Sequence, residues 1–100
     1  MEKEERKFAE VKVEGGKLVQ VRVEWIEGEI RDVSLTGDFF IYPESERKTI
    51  ELALVGKSVE ATAEEYVESI EKMLDSNTEL LGFDVVTVGE LVKRAVSDEG

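Results

Sequence analysis

The most regular pattern in the chain is a two-residue alternation over positions 18–25. Its apolar members interleave with polar ones and are Val19, Val21, Val23 and Trp25. Successive side chains of a β-strand point to opposite faces, so this period predicts a strand with one buried face. Any fold open to this chain must supply a layer that covers that face.

Glycine turns flank this strand and define its neighbours. Gly15 and Gly16, followed by Lys17, are predicted to form a hairpin turn. Gly28, directly after Glu27, marks a second tight turn. Connections this short join antiparallel strands, so the sequence predicts a three-stranded antiparallel meander.

The first and third strands are less regular than the central one. The first alternates over residues 8–13, and the charged residues 1–7 before it are predicted to be an N-terminal tail. In the third strand, the apolar residues change from an even position at Ile30 to odd positions from Val33 onward. That change predicts either a β-bulge or a strand that begins only near Arg31.

After Pro43 the apolar period becomes helical. Pro43 suits the first turn of a helix, and Gly56 is a natural stop for that helix. Thr62 and Glu65 have the spacing of a capping box, which predicts that a second helix starts near Ala63.

The last quarter of the chain predicts a short third helix. Residues 80–83 are expected to be a linker that packs inward, and Thr87 with Glu90 repeats the capping-box spacing. Residues 97–100 are predicted to be a C-terminal tail, so residues 8–96 form a single domain. Strands followed by helices indicate an α+β fold, with two or three helices packed on one face of the sheet.

Composition excludes several kinds of chemistry. The 100 residues include no cysteine and no histidine, which excludes disulfides, thiol chemistry, histidine bases, zinc fingers and iron–sulfur ligation. We expect no metal site and no catalytic residue. A net charge of −11 opposes contact with nucleic acid and anionic lipid, so neither is an expected partner.

Nothing in the chain indicates a membrane or secreted location. Its first residues lack the apolar stretch of a signal peptide, and no apolar run approaches the ~18 residues of a membrane span. A cytoplasmic location is the expectation.

A short segment between the sheet and the first helix carries the strongest functional signal. It runs from Gly37 to Pro43, the chain's only proline. Three aromatic residues fall within four positions of it, namely Phe39, Phe40 and Tyr42. Aromatic side chains at the exit of a sheet either fill a core or bind a partner.

Alternation along this segment separates its side chains. Phe40 and Tyr42 fall on one face, and Phe39 and Ile41 fall on the other. One pair is expected in the core. The other pair must pack under a helix or contact another protein, which is the interface hypothesis. Asp38 is interpreted first as a turn cap that bonds backbone N–H groups.

Other chemistry-bearing patterns have simpler explanations. Gly15, Gly16 and Lys17 lack the full spacing of a phosphate loop, and no helix follows them, so a hairpin turn is favoured. The glutamates between residues 64 and 71 fall on the exposed side of an amphipathic helix and are expected to be solvated. Because no nucleophile–base pair is evident, an independent enzyme is the least favoured interpretation.

Four short segments give the chain a recognisable frame. They are Gly16–Val19, Glu27–Ile30, Thr36–Pro43 and Leu54–Gly56. In this order they resemble the accessory domain of lipoate–protein ligases, and the similarity runs over nearly the whole chain. Its sharpest element is Gly37-Asp38-Phe39-Phe40, with proline three residues on. The other matches are hydrophobic spacing and the turn and frame positions Gly15, Gly16, Lys17, Gly28 and Gly56.

The resemblance implies that this chain assists a reaction whose catalytic residue belongs to another subunit. In such ligases the large subunit holds lipoate and ATP and carries the catalytic lysine, so neither ligand is expected here. The accessory domain, an α+β fold, packs near the active site and is needed for efficient formation of lipoyl-adenylate. The lipoyl group then passes to a lysine of an acceptor domain, an indirect partner.

The resemblance leaves two arrangements open. The accessory domain is the C-terminal part of many bacterial ligases and a separate subunit in some archaeal systems. A chain that begins with Met1 and contains no ligase core fits the separate subunit, although a fragment of a longer ligase would look the same. The alternative function is a protein-interaction domain on the same scaffold with a different partner.

The amide content of the chain predicts high thermal stability. Gln20 and Asn77 are the only side-chain amides, while Glu and Lys are plentiful, a skew typical of hyperthermophile proteins. We expect thermal unfolding, followed by circular dichroism, to show a midpoint above about 65 °C, the upper end of the mesophile range. A lower midpoint would contradict this interpretation.

Overall fold

The computed structural model describes residues 4–13, 15 and 17–97, so residues 1–3 and 98–100 of the predicted tails lie outside it. In the described ranges none of the helices is long and apolar enough to cross a membrane. In chain order the elements are β1 (Glu4–Val13), β2 (Lys17–Ile26), β3 (Glu29–Gly37), β4 (Phe40–Tyr42), α1 (Glu46–Leu54), α2 (Ala63–Met73), β5 (Glu79–Leu81) and α3 (Val85–Val96).

The first three strands form the antiparallel sheet that the turn signals predict, in the order β1-β2-β3. Val13 pairs with Lys17 across the first turn, in which Gly15 has a φ of 94° and Gly16 lies outside the described residues. The second turn contains Gly28, whose φ is 82°. The prediction of a three-stranded antiparallel sheet is confirmed.

A β-bulge in β3 explains its change of parity. The register with β2 shifts between Glu24 and Trp25, which leaves Arg31 as the extra residue of β3. A bulge re-aims the side chains that follow it. Ile30 and Val33 can therefore both point into the core, and both are buried.

The inner face of β2 forms the centre of the core. Its valines, Val19, Val21 and Val23, are at most 1% exposed. α3 packs against β1 and β2, α1 packs against β3, and α2 contacts both α1 and α3. The chain is therefore an α+β fold whose helices cover the sheet, as the order of its elements predicts.

The starts of α2 and α3 differ in how well the capping pattern predicted them. At α2 the capping box is present: Thr62 Oγ1 accepts from the Glu65 backbone N–H at 3.1 Å, and Glu65 Oε1 accepts from Thr62 N–H at 2.8 Å. The predicted third helix is present, but its predicted start was wrong, because its N-cap is Asp84, which accepts from Thr87 N–H at 2.8 Å. A carboxylate caps as well as a hydroxyl, and the earlier start at Val85 lengthens the helix.

The N-terminal strand is longer than its alternation predicts. β1 begins at Glu4, which pairs with Ile26, so residues 4–7 belong to the sheet and not to a tail. Arg6 lies 3.3 Å from the carboxylate of Glu24 on β2. Opposite charges across neighbouring strands stabilise pairing without apolar alternation, which is why the pattern missed these residues.

Pro43 lies before α1 and not in its first turn. The helix begins at Glu46, whose N–H donates to the Pro43 carbonyl at 3.0 Å, so the proline belongs to the turn that leads into the helix. The Tyr42–Pro43 peptide bond is cis. The predicted stop is confirmed, because α1 ends at Leu54 and Gly56 follows with a φ of 90°.

The close approach of α2 and α3 requires a glycine at position 89. A Cβ atom there would lie 2.6 Å from Val67 Cγ2 and 2.9 Å from the Ala63 carbonyl oxygen. Alanine is favoured over glycine in a helix by ~1 kcal/mol, but overpacking costs about 1–3 kcal/mol. We expect the net effect of Gly89→Ala to be a loss of up to about 2 kcal/mol in the free energy of unfolding, measured by urea titration.

A neighbouring substitution controls for general effects on α3. Glu90 is exposed on the same helix, so Glu90→Ala should change the free energy of unfolding by no more than about 0.5 kcal/mol. Equal effects of the two substitutions would contradict the close-packing argument.

Candidate functional site

A second, two-stranded sheet carries most of the Gly37–Pro43 segment. β4 and β5 pair antiparallel, with Phe40 opposite Leu81 and Tyr42 opposite Glu79. The linker expectation was wrong for Leu80 and Leu81, because pairing with β4 makes them part of a strand, whereas Phe83 packs inward as expected. Two-stranded sheets are marginal in water on their own, so this pair depends on what lies beneath it.

The inner face of the pair is anchored in the core. Phe39 is 5% exposed and Ile41 is 1% exposed. The Phe39 ring packs against the Phe83 ring with 4.3 Å between centroids. The Arg47 guanidinium lies 5.1 Å from the centroid of the Phe39 ring, within cation–π range. Phe39 and Ile41 are therefore the pair that belongs to the core.

Two side chains of α1 tie this region to the edge of β3. Arg47 Nη1 donates to the Leu35 carbonyl at 2.6 Å, and Glu51 Oε2 accepts from the Leu35 N–H at 2.8 Å. Arg47 is also held by Glu44, with 2.7 Å between Nε and Oε2. The cation above Phe39 is therefore fixed by hydrogen bonds on either side.

The outer face of β4 and β5 presents an exposed apolar surface, here called the aromatic ribbon. Its members are Phe40, Tyr42 and Leu81, which are 58%, 51% and 49% exposed. The rings of Phe40 and Tyr42 are nearly parallel, with 6.3 Å between centroids and 13° between planes. Three contiguous exposed apolar side chains of this size are typical of an interaction surface. The alternative, that this pair packs under a helix, is wrong.

An open groove of about 460 Å³ borders the aromatic ribbon. Its lining residues are Gly15, Lys17, Gly37, Asp38, Phe39 and Phe40. The groove joins the first hairpin turn to the start of the ribbon. An ammonium group and a carboxylate therefore flank the apolar surface at this end.

Gly37 fixes the path of the chain beside the groove. Its φ is 149°, and a Cβ atom would collide with the carbonyl oxygen of Leu18. The Asp38 N–H donates to that same carbonyl at 2.8 Å. The expected turn cap is not formed: among the described residues, no backbone N–H donates to the exposed Asp38 carboxylate. Asp38 contributes its backbone to the turn and its charge to the groove.

The predicted frame positions fall in two groups. Gly15 and Lys17 lie at the groove. Gly28 and Gly56 lie at the other end of β3, where Gly56 N–H donates to the Ile30 carbonyl at 2.8 Å and the Gly28 carbonyl accepts from Val59 N–H at 2.9 Å. These two glycines shape the fold and not the site.

The described residues offer binding surface more than reactive groups. In those ranges no cluster of three or more carboxylate, histidine or cysteine side chains is arranged to hold a metal ion. Burial, and then the charge of Glu65, raises the pKa of Tyr66 to about 12. The Tyr66 hydroxyl donates to the Ser58 carbonyl at 2.6 Å, so it is a neutral structural group at physiological pH.

Three residues of the site were not singled out as part of it from the sequence. Leu81 completes the aromatic ribbon, while Phe83 and Arg47 support it from below. A short apolar run bounded by turn residues is consistent with a strand, and residues 80–83 have that pattern. Their pairing with β4 could not be read locally, because two helices separate the strands in sequence.

Comparisons with known proteins find one fold likeness. No family model matches the chain, and no curated protein matches it. A chain from the structure of an archaeal lipoylation system, a bi-partite lipoate protein ligase and its E2 lipoyl domain from Thermoplasma acidophilum, superposes with a TM-score of 0.66 at 22% identity. The match covers 92% of this chain and 97% of that chain. The two chains share a fold.

The neighbouring phenylalanines provide a test of the two faces. Phe39→Ala should lower the free energy of unfolding by about 3–5 kcal/mol, because it empties a packed position between Phe83 and Arg47. Phe40→Ala should change it by less than about 1 kcal/mol, because that ring is already largely in water. Urea unfolding followed by tryptophan fluorescence measures both, and equal losses would contradict the assignment of faces.

Proposed function

We propose that this chain is a non-catalytic accessory subunit of a two-part lipoate–protein ligase. The main support is the fold likeness to a chain of an archaeal bi-partite system, which covers both chains almost end to end. The sequence supports the same function through the Gly37–Pro43 segment. In this proposal lipoate and ATP bind to the large subunit, and this chain binds neither tightly by itself.

The aromatic ribbon is the surface proposed to contact the large subunit. Tyr and Phe are enriched at the centres of protein interfaces. Phe40 and Tyr42 stand on a strand whose other face is locked into the core through Phe39 and Ile41. A strand held in this way loses little backbone entropy on binding, which favours affinity.

The described residues near the ribbon form no reaction centre, which supports an indirect role. Within the described part of the chain, Lys17 and Asp38 are the charged residues that line the neighbouring groove. A lysine and a carboxylate at an open surface do not by themselves activate a carboxylic acid with ATP. That reaction needs the triphosphate and the carboxylate held in line in a site from which water is excluded.

A subunit without a catalytic residue can accelerate a reaction by selecting a conformation of its partner. Docking of the ribbon would favour the closed, reactive arrangement of the large subunit if this chain binds that arrangement more tightly than the open one. A preference of about 2.7 kcal/mol shifts the ratio of the two arrangements a hundredfold. The proposed effect is on formation of lipoyl-adenylate, before the lipoyl group passes to an acceptor lysine.

The alternative is an interaction domain on the same scaffold with a different partner. The exposed ribbon supports it equally well, because apolar rings do not specify which protein they meet. Co-purification with a candidate large subunit separates the two, since only the ligase proposal requires that complex.

The proposed function predicts a difference between two half-reactions. With ATP and lipoate, the large subunit should form lipoyl-adenylate much faster when this chain is present. With synthetic lipoyl-adenylate supplied, transfer to an acceptor domain should depend on this chain far less, because activation has already taken place. Equal losses in both half-reactions on omission of this chain would overturn selective activation and favour a role in acceptor docking.

Matched variants show whether the ribbon carries this effect. A Phe40→Ala/Tyr42→Ala double variant should weaken binding to the large subunit by about 2 kcal/mol or more. The control is a Leu52→Ala/Met73→Ala double variant, which removes apolar side chains of similar exposure, 54% and 53%, from the helices. Equal weakening by both variants would contradict the assignment of the ribbon.

A further inference from the structure

The two edges of the three-stranded sheet are treated differently by the rest of the chain. The edge of β3 is occupied: Ile30 N–H donates to the Lys57 carbonyl at 2.9 Å, and α1 side chains bond both backbone groups of Leu35. On the edge of β1 no described strand pairs. There the Arg94 guanidinium donates to the Glu10 carbonyl at 3.1 Å. An exposed edge of ten residues is a template for pairing with another chain.

On the outer face of β1, charges at equal distances before and after the central residue have opposite signs. Along that face lie Glu4, Arg6, Phe8, Glu10 and Lys12, so an acid and a base precede the phenylalanine and an acid and a base follow it. Phe8 is 72% exposed. The ten residues of β1 carry three acidic and three basic side chains, so the strand is neutral within an acidic chain.

This arrangement is complementary to itself in an antiparallel pair. With Phe8 opposite the Phe8 of a second copy, Arg6 faces Glu10 and Glu4 faces Lys12, and each pair occurs twice. Even-numbered residues of one copy then face even-numbered residues of the other. The outer faces of the two sheets therefore lie on the same side of the combined sheet. Opposite charges directly across antiparallel strands are stabilising.

Neighbouring registers lack this complementarity. A shift by two residues in one direction places Arg6 opposite Lys12, and a shift in the other places Glu4 opposite Glu10. Like charges directly opposite are destabilising. A shift by one residue sets outer-face side chains against inner-face ones. The charges therefore select a single register.

The backbone direction agrees with this register. The Glu10 carbonyl is reached by a side chain of α3, which indicates that it points to the open edge and not to β2. Backbone groups of a strand alternate between its two sides, so those of Arg6, Phe8 and Lys12 point to the open edge as well. The residues that would face each other are therefore the ones with backbone N–H and C=O groups directed at the partner strand.

We propose that two copies of this chain pair through β1 into one antiparallel sheet, with Phe8 on the two-fold axis. Each copy contributes its three strands, and the aromatic ribbon on β4 and β5 is a separate surface of each copy. This goes beyond the proposed function, because a ligase partner could bind each half independently. Of the hydrogen bonds described at this edge, the one from the Arg94 side chain to the Glu10 carbonyl has to break, and it is exposed to solvent.

The charged side chains on the outer face of β1 can form further ion pairs with a second copy. Arg6 already contacts Glu24 at 3.3 Å, and Glu10 accepts from Gln20 at 2.8 Å, yet Arg6 and Glu10 both remain exposed. A hydrogen bond to Glu24, and then its charge, raises the pKa of Glu4. The Lys12 ammonium of a second copy would offset that crowding of carboxylates.

Single cysteines test the register directly, because the chain has none of its own. Phe8→Cys should form a disulfide-linked dimer under mild oxidation, since Cα atoms of facing residues lie ~5.5 Å apart. Thr36→Cys is the control, because Thr36 is exposed on the same outer face but lies on β3 and takes no part in the proposed pairing. Its two copies would lie five strand spacings apart, roughly 24 Å, and should not cross-link. A monomeric Phe8→Cys, or equal cross-linking of the control, would overturn the proposal.

A charge exchange provides an independent test in solution. Sedimentation of the unmodified chain should show a species of twice 11.3 kDa at high concentration. Lys12→Glu should raise the dissociation constant at least about tenfold, because it places like charges opposite each other twice. Glu4→Lys/Lys12→Glu should restore dimerisation, and Arg94→Ala should strengthen it. A chain that stays monomeric at millimolar concentration, or a double variant no tighter than Lys12→Glu alone, would overturn the proposal.

Discussion

The fold depends on covering one face of β2. Its valines are almost completely buried, and each strand beside β2 extends the same apolar surface. Burial of apolar area is the largest favourable term in folding, at roughly 25 cal/mol per Å². The three helices pack on that face, and the opposite face, which carries Phe8 and many charged side chains, stays open to solvent. The position of α1 against β3 follows from this requirement.

The local elements could be predicted from the sequence because their causes are local. The alternation of β2, the turns at Gly15 and Gly28 and the capping box at Thr62 each act within a few residues. The start of α3 was misplaced because two capping patterns overlap there, and the carboxylate of Asp84 provides the cap. Short-range patterns do not show which of two adjacent caps the helix uses.

The candidate site could be predicted only in part, for a physical reason. Alternation showed that the Gly37–Pro43 segment has two faces, but which face is buried depends on distant residues. Arg47 on α1 and Phe83, between β5 and α3, decide it by packing against Phe39. The exposed surface of Phe40 and Tyr42 is thus a result of tertiary packing, and so is the strand β5 that completes it.

The pairing of β4 with β5 has a consequence for the timing of assembly. Phe40 pairs with Leu81, and α1 and α2 are made between them. At the usual rate of synthesis, the interval between these two strands is about 2–8 s. A nascent chain that ends before β5 has the aromatic rings but no second strand to hold them. A partner can therefore bind the ordered ribbon only after β5 has been synthesised and has paired with β4.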